Sequence, residues 1–557
     1  MGTLFTQVTT SKEVYYNRKK ISQSILTWKQ AALPMKLRIH NTENLKWFLV
    51  PIVAILAGII LRMVNLGYAD YQGDEIKAFY LPEPGHSIAE FLFTQRKGPL
   101  QFMITGILTL VDPLYENQFL MRVFFALAGC LALIFFYLLA ASLFGKRIGV
   151  YSTFFMATNG ILVGLSRIAQ YQSYVILGGL LALFFFNKAA KDPSYTISGV
   201  YLGFASWTVA ILAHYDAVLI APMALYLLWE WRNSGVIPER TKIKHLFSSI
   251  GIALVPLLAF YIPFIFFIDA ETKAYWTGRL IAQAADKLSS SSLLFQIYQP
   301  VYVLPIYVIL FIISLTFCGG LMFNQHRGTG KNWAPEEIPI GQFIKNILAT
   351  LVWFLVVFSM MEGIIYQPGT HIYTYLMPAF VFLGLGVYAI EQLFKQIQWI
   401  RRLHWIILAV LSLLFLFLFV QSYAIFVDTS QEYPWENERF IFWTLEKPAP
   451  SITDRYGLSM FGFLYYRDWE AIGKYIQDHR DFNNVSANEP DVVTNFYVRK
   501  NGLRFSPFRY YISIQNPRSF VPVLNQRMEE VLRTQEPVYR TFKDEETLAE
   551  IFLIEIR

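Results

Sequence analysis

Long apolar runs alternate with short polar connections through most of this chain. Runs of about 20 mainly apolar residues recur between Trp47 and Val427, and a stretch of ordinary soluble composition follows. A helix needs about 20 such residues to cross roughly 30 Å of hydrocarbon. With 557 residues, 55% of them apolar and only 16% charged, the chain is too hydrophobic for a soluble protein of this size. The pattern predicts a polytopic α-helical membrane protein.

One apolar stretch, 98–111, decides the topology. It is short for a span and lies between Arg96-Lys97 and Asp112-Pro113. If it does not cross, the basic clusters of the short connections fall on the cytoplasmic side, as the positive-inside tendency requires. We therefore interpret 78–112 as amphipathic helices on the membrane surface. The clusters are Lys146-Arg147; Lys188 and Lys191; Arg232, Arg240, Lys242 and Lys244; Arg327, Lys331 and Lys345; and Lys395, Arg401 and Arg402.

This topology predicts about eleven spans in a multi-pass protein of the plasma membrane. The spans are 46–65, 119–144, 148–166, 173–188, 196–213, 217–231, 246–268, 299–323, 344–364, 371–393 and 402–427. Residues 1–45 form a basic cytoplasmic segment, and 46–427 form the transmembrane domain, with external loops 66–118 and 269–298. Residues 428–557 form a small extracytoplasmic α/β domain. Within it, 469–479, 527–534 and 545–550 are helix-like, and 492–498, 536–541 and 551–556 are strand-like.

The net charge of +7 does not indicate a nucleic-acid partner, because the basic residues are dispersed in short clusters between apolar runs. Cys130 and Cys318, the two cysteines of the sequence, both lie inside apolar runs. They offer neither a disulfide framework nor a thiolate metal site.

An acidic stretch, 70–75, follows the first predicted span and ends in Asp74 and Glu75. Carboxylates just outside a membrane span lie where a lipid-borne and a water-borne substrate can meet. Because neighbouring side chains diverge, we expect one carboxylate to act as a general base while the other orients it. The alternative is a solvated loop with acids at the start of a helix.

Further polar residues fall on the same face of the predicted topology. Cationic side chains can bind a phosphate, and a carboxylate can remove a proton from an acceptor. Aromatic faces can pack against a sugar or an isoprenoid. The candidates for substrate binding are Arg167, Gln172, His214, Asp216, Tyr275, Arg279, His371, Tyr373 and Tyr375.

Each candidate also has a structural interpretation. His214 and Asp216 are compatible metal ligands, but two residues are too few, and hydrogen bonds within a tight interfacial turn explain them better. Tyr373 and Tyr375 fit an aromatic belt, and Arg167 and Arg279 fit anchors at lipid headgroups. The residues alone identify no cofactor, and the participation of a divalent metal ion stays open.

Several short motifs together resemble the type C membrane glycosyltransferase superfamily, especially the protein O-mannosyltransferases and aminoarabinose transferases, which use polyprenyl-phosphate sugars. Their order along the whole chain and their common side of the membrane carry the resemblance. The motifs are Gly73-Asp74-Glu75, Gly98-Pro99-Leu100, Arg122, Ser166-Arg167-Ile168-Ala169, His214-Tyr215-Asp216, His371-Ile372-Tyr373, Leu376-Met377-Pro378, Arg455-Tyr456-Gly457, Met460-Phe461-Gly462-Phe463 and Trp469-Glu470-Ala471-Ile472-Gly473.

The resemblance implies an inverting transferase that moves a sugar from a polyprenyl-phosphate donor to an acceptor protein, lipid or glycan on the extracytoplasmic face. It implies Asp74 as the base, with Glu75 as its partner. Two positions depart from the family pattern: Gln172 replaces a common Asp, and Lys97-Gly98-Pro99 replaces His-Pro-Pro.

Two other functions remain as alternatives. A transporter or lipid flippase would have polar or broken spans near the membrane midplane, whereas the polar residues here concentrate at outer ends and loops. The second alternative is a non-catalytic subunit of a cell-envelope glycan assembly system. Gln172, which replaces a common Asp, is the one feature that favours it.

Overall fold

A computed structural model describes most of the chain. The described residues are 42–83, 85–268, 270–280, 304–327, 334–365, 369–396, 404–430, 432, 462–479, 485–498, 510–517 and 526–554. Residues 1–50 and 51–557 are separate compact units, and only residues 42–50 of the first are described.

Helices dominate the region up to residue 426. In chain order they are α1 Thr42–Met63, α2 Gly73–Ile76, α3 Ile88–Thr94, α4 Leu100–Leu108, α5 Gln118–Phe144, α6 Lys146–Thr158, α7 Gly160–Ser166, α8 Gln172–Lys191, α9 Ser198–Ala213, α10 Ala221–Asn233, α11 Glu239–Phe267, α12 Ala270–Leu280, α13 Leu304–Arg327, α14 Ile340–Phe358, α15 Tyr373–Gln396 and α16 His404–Phe426. Each predicted span overlaps one of these helices or the bent pair α6–α7.

Among the described residues, seven helices are long and apolar enough to cross a membrane, or eight when α6 and α7 count as one span. The multi-pass helical architecture is therefore confirmed. Two further apolar helices are shorter, Leu49–Met63 and Ser198–Ala213. The number of eleven spans remains a prediction, because a helix such as α9, with 16 residues, rises only about 24 Å.

The third predicted span is broken at Asn159. Helices α6 and α7 meet there at 62°, and the Asn159 side chain caps α7 by accepting a hydrogen bond from the Leu162 amide at 3.2 Å. The first backbone amides of a helix have no acceptor within the helix. The side chain of an N-cap residue such as Asn159, whose backbone is extended, accepts a hydrogen bond from one of them.

The described part of the loop 66–118 carries short helices. Helix α4 has nine residues and rises about 14 Å, less than half of the hydrocarbon thickness. Helix α3 begins with a capping box in which Ser87 and Glu90 exchange hydrogen bonds. The described residues of 78–112 thus contain two short helices, α3 and α4, and their position on the membrane surface remains a prediction.

The C-terminal part contains a four-stranded sheet with three helices. The strands are β1 Val485–Ala487, β2 Tyr510–Ile514, β3 Tyr539–Lys543 and β4 Glu546–Leu553, and the helices are α17 Trp469–Asp478, α18 Asp491–Val498 and α19 Gln526–Thr534. The strand order is β1-β2-β4-β3, with β1 parallel to β2 and the other pairs antiparallel. A small mixed α/β unit is present, as the pattern predicts.

Two of the local predictions in this part were wrong. Residues 492–498 form helix α18 rather than a strand, because Val493, Thr494, Tyr497 and Val498 make one buried helical face. Packing here overrides the strand preference of β-branched residues.

Residues 545–550 were expected to be helical but belong largely to strand β4. The positive φ angles of Asp544 (48°) and Glu545 (72°) make a two-residue turn between β3 and β4. Positive φ at both central residues is typical of a type I′ hairpin turn.

The C-terminal domain contacts the acidic stretch directly. The Arg467 amide donates to Asp70 Oδ2 at 2.6 Å, and the Asp70 amide donates to the Tyr465 carbonyl at 2.9 Å. The Tyr71 amide donates to the Tyr497 hydroxyl at 2.7 Å. The stretch that follows the first span is therefore held against the domain by its own backbone and by the Asp70 side chain.

Glu75 is buried in an ion pair with Arg122 of α5. Arg122 Nε and Nη2 donate to the two carboxylate oxygens at 2.7 and 2.8 Å, and both side chains are at most 3% exposed. The Ala169 amide donates a further hydrogen bond to Glu75 at 3.0 Å. Arg122 Nη1 also donates to the carbonyls of Leu66 and Ala69. One carboxylate thus joins the first loop, the start of α5 and the segment after α7.

We predict that Glu75→Gln destabilises the protein strongly. Removing one partner of a buried ion pair leaves the other charge uncompensated and costs about 3–5 kcal/mol. Thermal unfolding of the purified protein in detergent, or the folded yield, would measure the loss.

The matched control is Glu83→Gln, because Glu83 lies in the same loop with its side chain 81% exposed. Equal stability of the two variants would contradict the structural role given to the Glu75 pair.

Candidate functional site

The two adjacent carboxylates of the acidic stretch lie in different environments. Glu75 is fully buried and bound by Arg122, whereas the Asp74 side chain is 50% exposed. Asp74 has a loose ion pair with Lys77 at 3.8 Å. Because α2 turns the two side chains apart, only Asp74 is accessible to a substrate.

Lys97 places a buried ammonium group near Asp74. Its Nζ atom has no hydrogen-bond partner among the described residues and lies 5.5 Å from the centre of the Tyr171 ring. Burial lowers the pKa of Lys97 to about 8, and the Asp74 carboxylate opposes this lowering. A lysine ammonium has three donors, so an unpartnered buried one is a site that an anion would satisfy.

Gly98 explains how Lys97 reaches this position. A Cβ atom at Gly98 would lie 2.2 Å from the Leu212 carbonyl oxygen and 2.7 Å from that of Ala213. These carbonyls belong to the last turn of α9, directly before His214. Only glycine lets the chain between α3 and α4 approach the end of α9 this closely.

A second group of polar residues surrounds Asp216 in the turn after α9. Asp216 Oδ1 lies 3.1 Å from His214 Nδ1, and Oδ2 lies 2.5 Å from His371 Nδ1. The Tyr373 hydroxyl donates to Oδ2 at 2.8 Å. Tyr171 stacks on the His214 ring, with ring centres 4.0 Å apart. We call His214, Asp216, His371 and Tyr373 the Asp216 cluster.

The charges of this cluster depend on each other. Burial alone would raise the pKa of Asp216, but its contacts with His214 and His371 hold that pKa well below its usual range. Burial lowers the pKa of His214, and the positive charge of Lys97 adds to this lowering. Lys97 is therefore close enough to interact with both Asp74 and the Asp216 cluster.

Arg167 has a structural environment rather than an open one. It is buried, and its guanidinium donates to the carbonyls of Leu61, Val64 and Asn65 at 2.8–3.0 Å. These carbonyls lie at the C-terminal end of α1. The last carbonyl groups of a helix have no hydrogen-bond donor within the helix, and Arg167 supplies one. Its predicted contact with a substrate phosphate remains a prediction.

The other predicted residues are distributed around the site. Gln172 is buried and donates to Gln170 at 3.0 Å, and the Tyr375 hydroxyl donates to Glu362 at 2.8 Å, apart from the Asp216 cluster. Tyr275 and Arg279 lie in α12, but their side chains are outside the described residues. The start of α12 is tied to the loop by Glu271, which binds Arg96 at 3.0 Å.

The sequence pattern gave no site role to Lys97 or Tyr171. A signal for Lys97 existed in the Lys97-Gly98-Pro99 triplet, where a small residue directly follows a cation at the start of a helix. Tyr171 had no signal of its own, because an aromatic residue between two spans is ordinary in a membrane protein. His371 joins His214 and Asp216 in the Asp216 cluster, although it is 155 residues away from Asp216 in the chain.

We predict opposite effects for alanine at two glycines of this region. Gly98→Ala should destabilise the protein, because its Cβ would overlap the carbonyls at the end of α9. Gly278→Ala, inside α12, meets nothing within 4 Å and should stabilise by up to about 1 kcal/mol through helix propensity. Thermal unfolding in detergent measures both. Unchanged stability of Gly98→Ala would contradict the close approach.

Known proteins resemble this chain in sequence and in fold. The family model of dolichyl-phosphate-mannose-protein mannosyltransferases matches residues 97–260, which begin at Lys97 and include Arg167 and the His214–Asp216 turn. None of the curated proteins matches the sequence.

Solved structures that resemble the chain include three glycosyltransferase-type proteins. Apo ArnT from Cupriavidus metallidurans is 10% identical, with 92% of this chain and 98% of that chain covered and a TM-score of 0.48. The oligosaccharyltransferase AglB from Archaeoglobus fulgidus is 12% identical, with 85% and 70% covered and a TM-score of 0.42. The Pmt1-Pmt2 protein O-mannosyltransferase complex of S. cerevisiae is 14% identical, with 43% and 35% covered and a TM-score of 0.30.

The match of residues 97–260 confirms the resemblance that the motifs predicted. This multi-pass membrane protein is mannosyltransferase-like over residues 97–260, where its sequence resembles the protein O-mannosyltransferases.

Proposed function

We propose that this protein is an inverting glycosyltransferase that takes a sugar from a polyprenyl-phosphate donor. The acceptor is a hydroxyl or phosphate group of a protein, lipid or glycan. The observation that carries the proposal is the electrostatic interaction of an accessible carboxylate, Asp74, with a buried and unpartnered ammonium, Lys97. The family match that begins at Lys97 supports the same reaction class.

The two groups suit the two ends of this reaction. Asp74 accepts the proton of the acceptor hydroxyl as its oxygen attacks the anomeric carbon. The bond between that carbon and the phosphate oxygen breaks, and the lipid phosphate leaves with the electron pair. Lys97 stabilises the negative charge of the phosphate, which it can do strongly because its surroundings exclude water.

Glu75 acts in this proposal as a positioning residue. Both of its carboxylate oxygens are engaged by Arg122, and one also accepts the Ala169 amide. A group bound in this way fixes the backbone of α2 and hence the direction of the Asp74 side chain. The predicted orienting role of Glu75 fits these contacts better than a role as base.

The reaction takes place on the extracytoplasmic face in this proposal. The basic clusters of the short connections place residues 1–45 in the cytoplasm and the loops 66–118 and 269–298 outside. The contacts of Asp70 and Tyr71 with Arg467 and Tyr497 support a position of the domain 428–557 on the same side as the loop 66–118. The lipid tail of the donor lies in the membrane, and the acceptor comes from the aqueous side.

A transporter function was the main alternative, and the broken span at Asn159 bears on it. Broken spans in transporters expose helix ends to a cavity. Here Arg62 donates to the carbonyls of Met156 and Ala157, and the Ser422 hydroxyl donates to that of Thr158 at 2.6 Å. Because buried side chains satisfy these helix ends, the break favours a structural role.

We predict that Asp74→Asn reduces transfer of a radiolabelled sugar from its polyprenyl phosphate by about 10²–10⁴-fold in kcat. The KM for the donor should stay within about twofold of the wild-type value, because the carboxylate acts on the acceptor. Glu83→Gln is the control, since that exposed carboxylate belongs to the same loop.

Equal transfer by wild type and Asp74→Asn would remove Asp74 as the base while leaving the transferase function intact. Absence of transfer by the wild-type protein with every donor sugar offered would instead contradict the transferase function itself.

We also predict a fall of kcat/KM for the donor above about pH 8. The pKa of Lys97 is lowered to about 8, so the ammonium that binds the phosphate loses its proton above that value. On the alkaline side kcat/KM should decrease about tenfold per pH unit. Lys97→Arg should extend the plateau to higher pH, because a guanidinium keeps its charge. An identical alkaline limb in both proteins would assign the fall to another group.

A further inference from the structure

The Asp216 cluster brings together three potential metal ligands from two distant segments. His214 and Asp216 lie in the turn after α9, and His371 lies directly before α15. Each side chain offers one ligand atom, and these atoms all lie within 4.8 Å of one another. Among the described residues, this group is the one set of three His, Cys, Asp or Glu side chains with that spacing.

The observed separations are close to those of a metal centre. In a tetrahedral Zn²⁺ site with bonds of about 2.0–2.1 Å, neighbouring ligand atoms are about 3.3 Å apart. Asp216 lies 3.1 Å from His214 Nδ1 through one oxygen and 2.5 Å from His371 Nδ1 through the other. The two distances to Asp216 thus differ by less than about 1 Å from those of a zinc site, and all three ligand atoms lie within 4.8 Å of one another.

The surroundings hold the three ligands as metal sites usually do. Ligating carboxylates commonly accept a hydrogen bond from a neighbouring side chain, and the Tyr373 hydroxyl donates one to Asp216 at 2.8 Å. The stacked Tyr171 ring fixes the plane of His214. Trp207 Nε1 donates to the Ala217 carbonyl at 2.7 Å and anchors the turn that carries Asp216.

We propose that His214, Asp216 and His371 bind a divalent transition-metal ion of the Zn²⁺ class. Two imidazoles and one carboxylate favour Zn²⁺, Co²⁺ or Fe²⁺ over Mg²⁺ and Ca²⁺, which prefer oxygen ligands. Three protein ligands leave a coordination position for water or a substrate oxygen. The His371 side chain is 15% exposed, whereas those of His214 and Asp216 are at most 4% exposed, so the open position is on the His371 side.

The experiment measures metal content and needs no substrate. The full-length protein, purified without a histidine tag, is treated with a chelator, incubated with Zn²⁺ and freed of excess ion before elemental analysis. Wild type should retain about one equivalent per chain. His371→Ala and Asp216→Asn should bind at least about tenfold more weakly, and so should Tyr373→Phe, which removes the hydrogen bond to the ligand.

His86→Ala is the matched control, because His86 is an exposed histidine of the first loop, outside the cluster. It should bind Zn²⁺ like the wild type. Co²⁺ loading adds a readout of geometry: visible absorption bands of tetrahedral Co²⁺ should appear in wild type and His86→Ala and be absent in His371→Ala.

Retention of less than about a tenth of an equivalent by the wild type, or equal retention by His371→Ala and wild type, would overturn the proposal. Because Tyr373→Phe keeps the shape of the side chain, it separates loss of metal from loss of fold when its thermal unfolding matches that of the metal-free wild type. The result is independent of the proposed transferase function, since neither a donor nor an acceptor is present.

Discussion

The ion pair between Glu75 and Arg122 is the interaction on which the rest of the site depends. It lies almost fully out of water, and the hydrogen bonds from the Ala169 amide and to the Leu66 and Ala69 carbonyls compensate for the loss of hydration. A buried ion pair of this kind contributes mainly by fixing one arrangement of the segments that carry its two side chains. It permits one position of the first loop over the membrane helices, and Asp74 is accessible because Glu75 is held.

The site itself combines groups that no single element supplies. Lys97 comes from the connection between two short surface helices, Asp74 from a four-residue helix, and the Asp216 cluster from a tight turn and the start of α15. Gly98 joins these parts because it lets the loop touch the end of α9. Rigid membrane helices thus provide the frame, while short irregular segments carry the chemistry, as in many enzymes.

The sequence predicted the membrane helices well, because apolar runs are required wherever the chain meets lipid. It also selected Asp74, His214, Asp216, His371 and Tyr373, since polar residues at the ends of such runs are exceptional. It could not identify the partners that bury Glu75, because Arg122 and Ala169 are 47 and 94 residues away in the chain. The helix 491–498 was misread because its β-branched residues are buried by neighbours that a local window does not contain.

The docking of the C-terminal domain on the acidic stretch has a consequence for biosynthesis. Asp70 and Tyr71 bind Arg467 and Tyr497, which follow them by 397 and 426 residues. The loop is therefore synthesised early in translation, whereas the residues that hold it are synthesised only after the membrane helices. Contacts with such large sequence separation form late and slowly. A ribosome-bound chain that has completed its membrane helices still lacks the partners of this loop, so the loop takes its final arrangement only after the C-terminal domain has been synthesised and has folded against it.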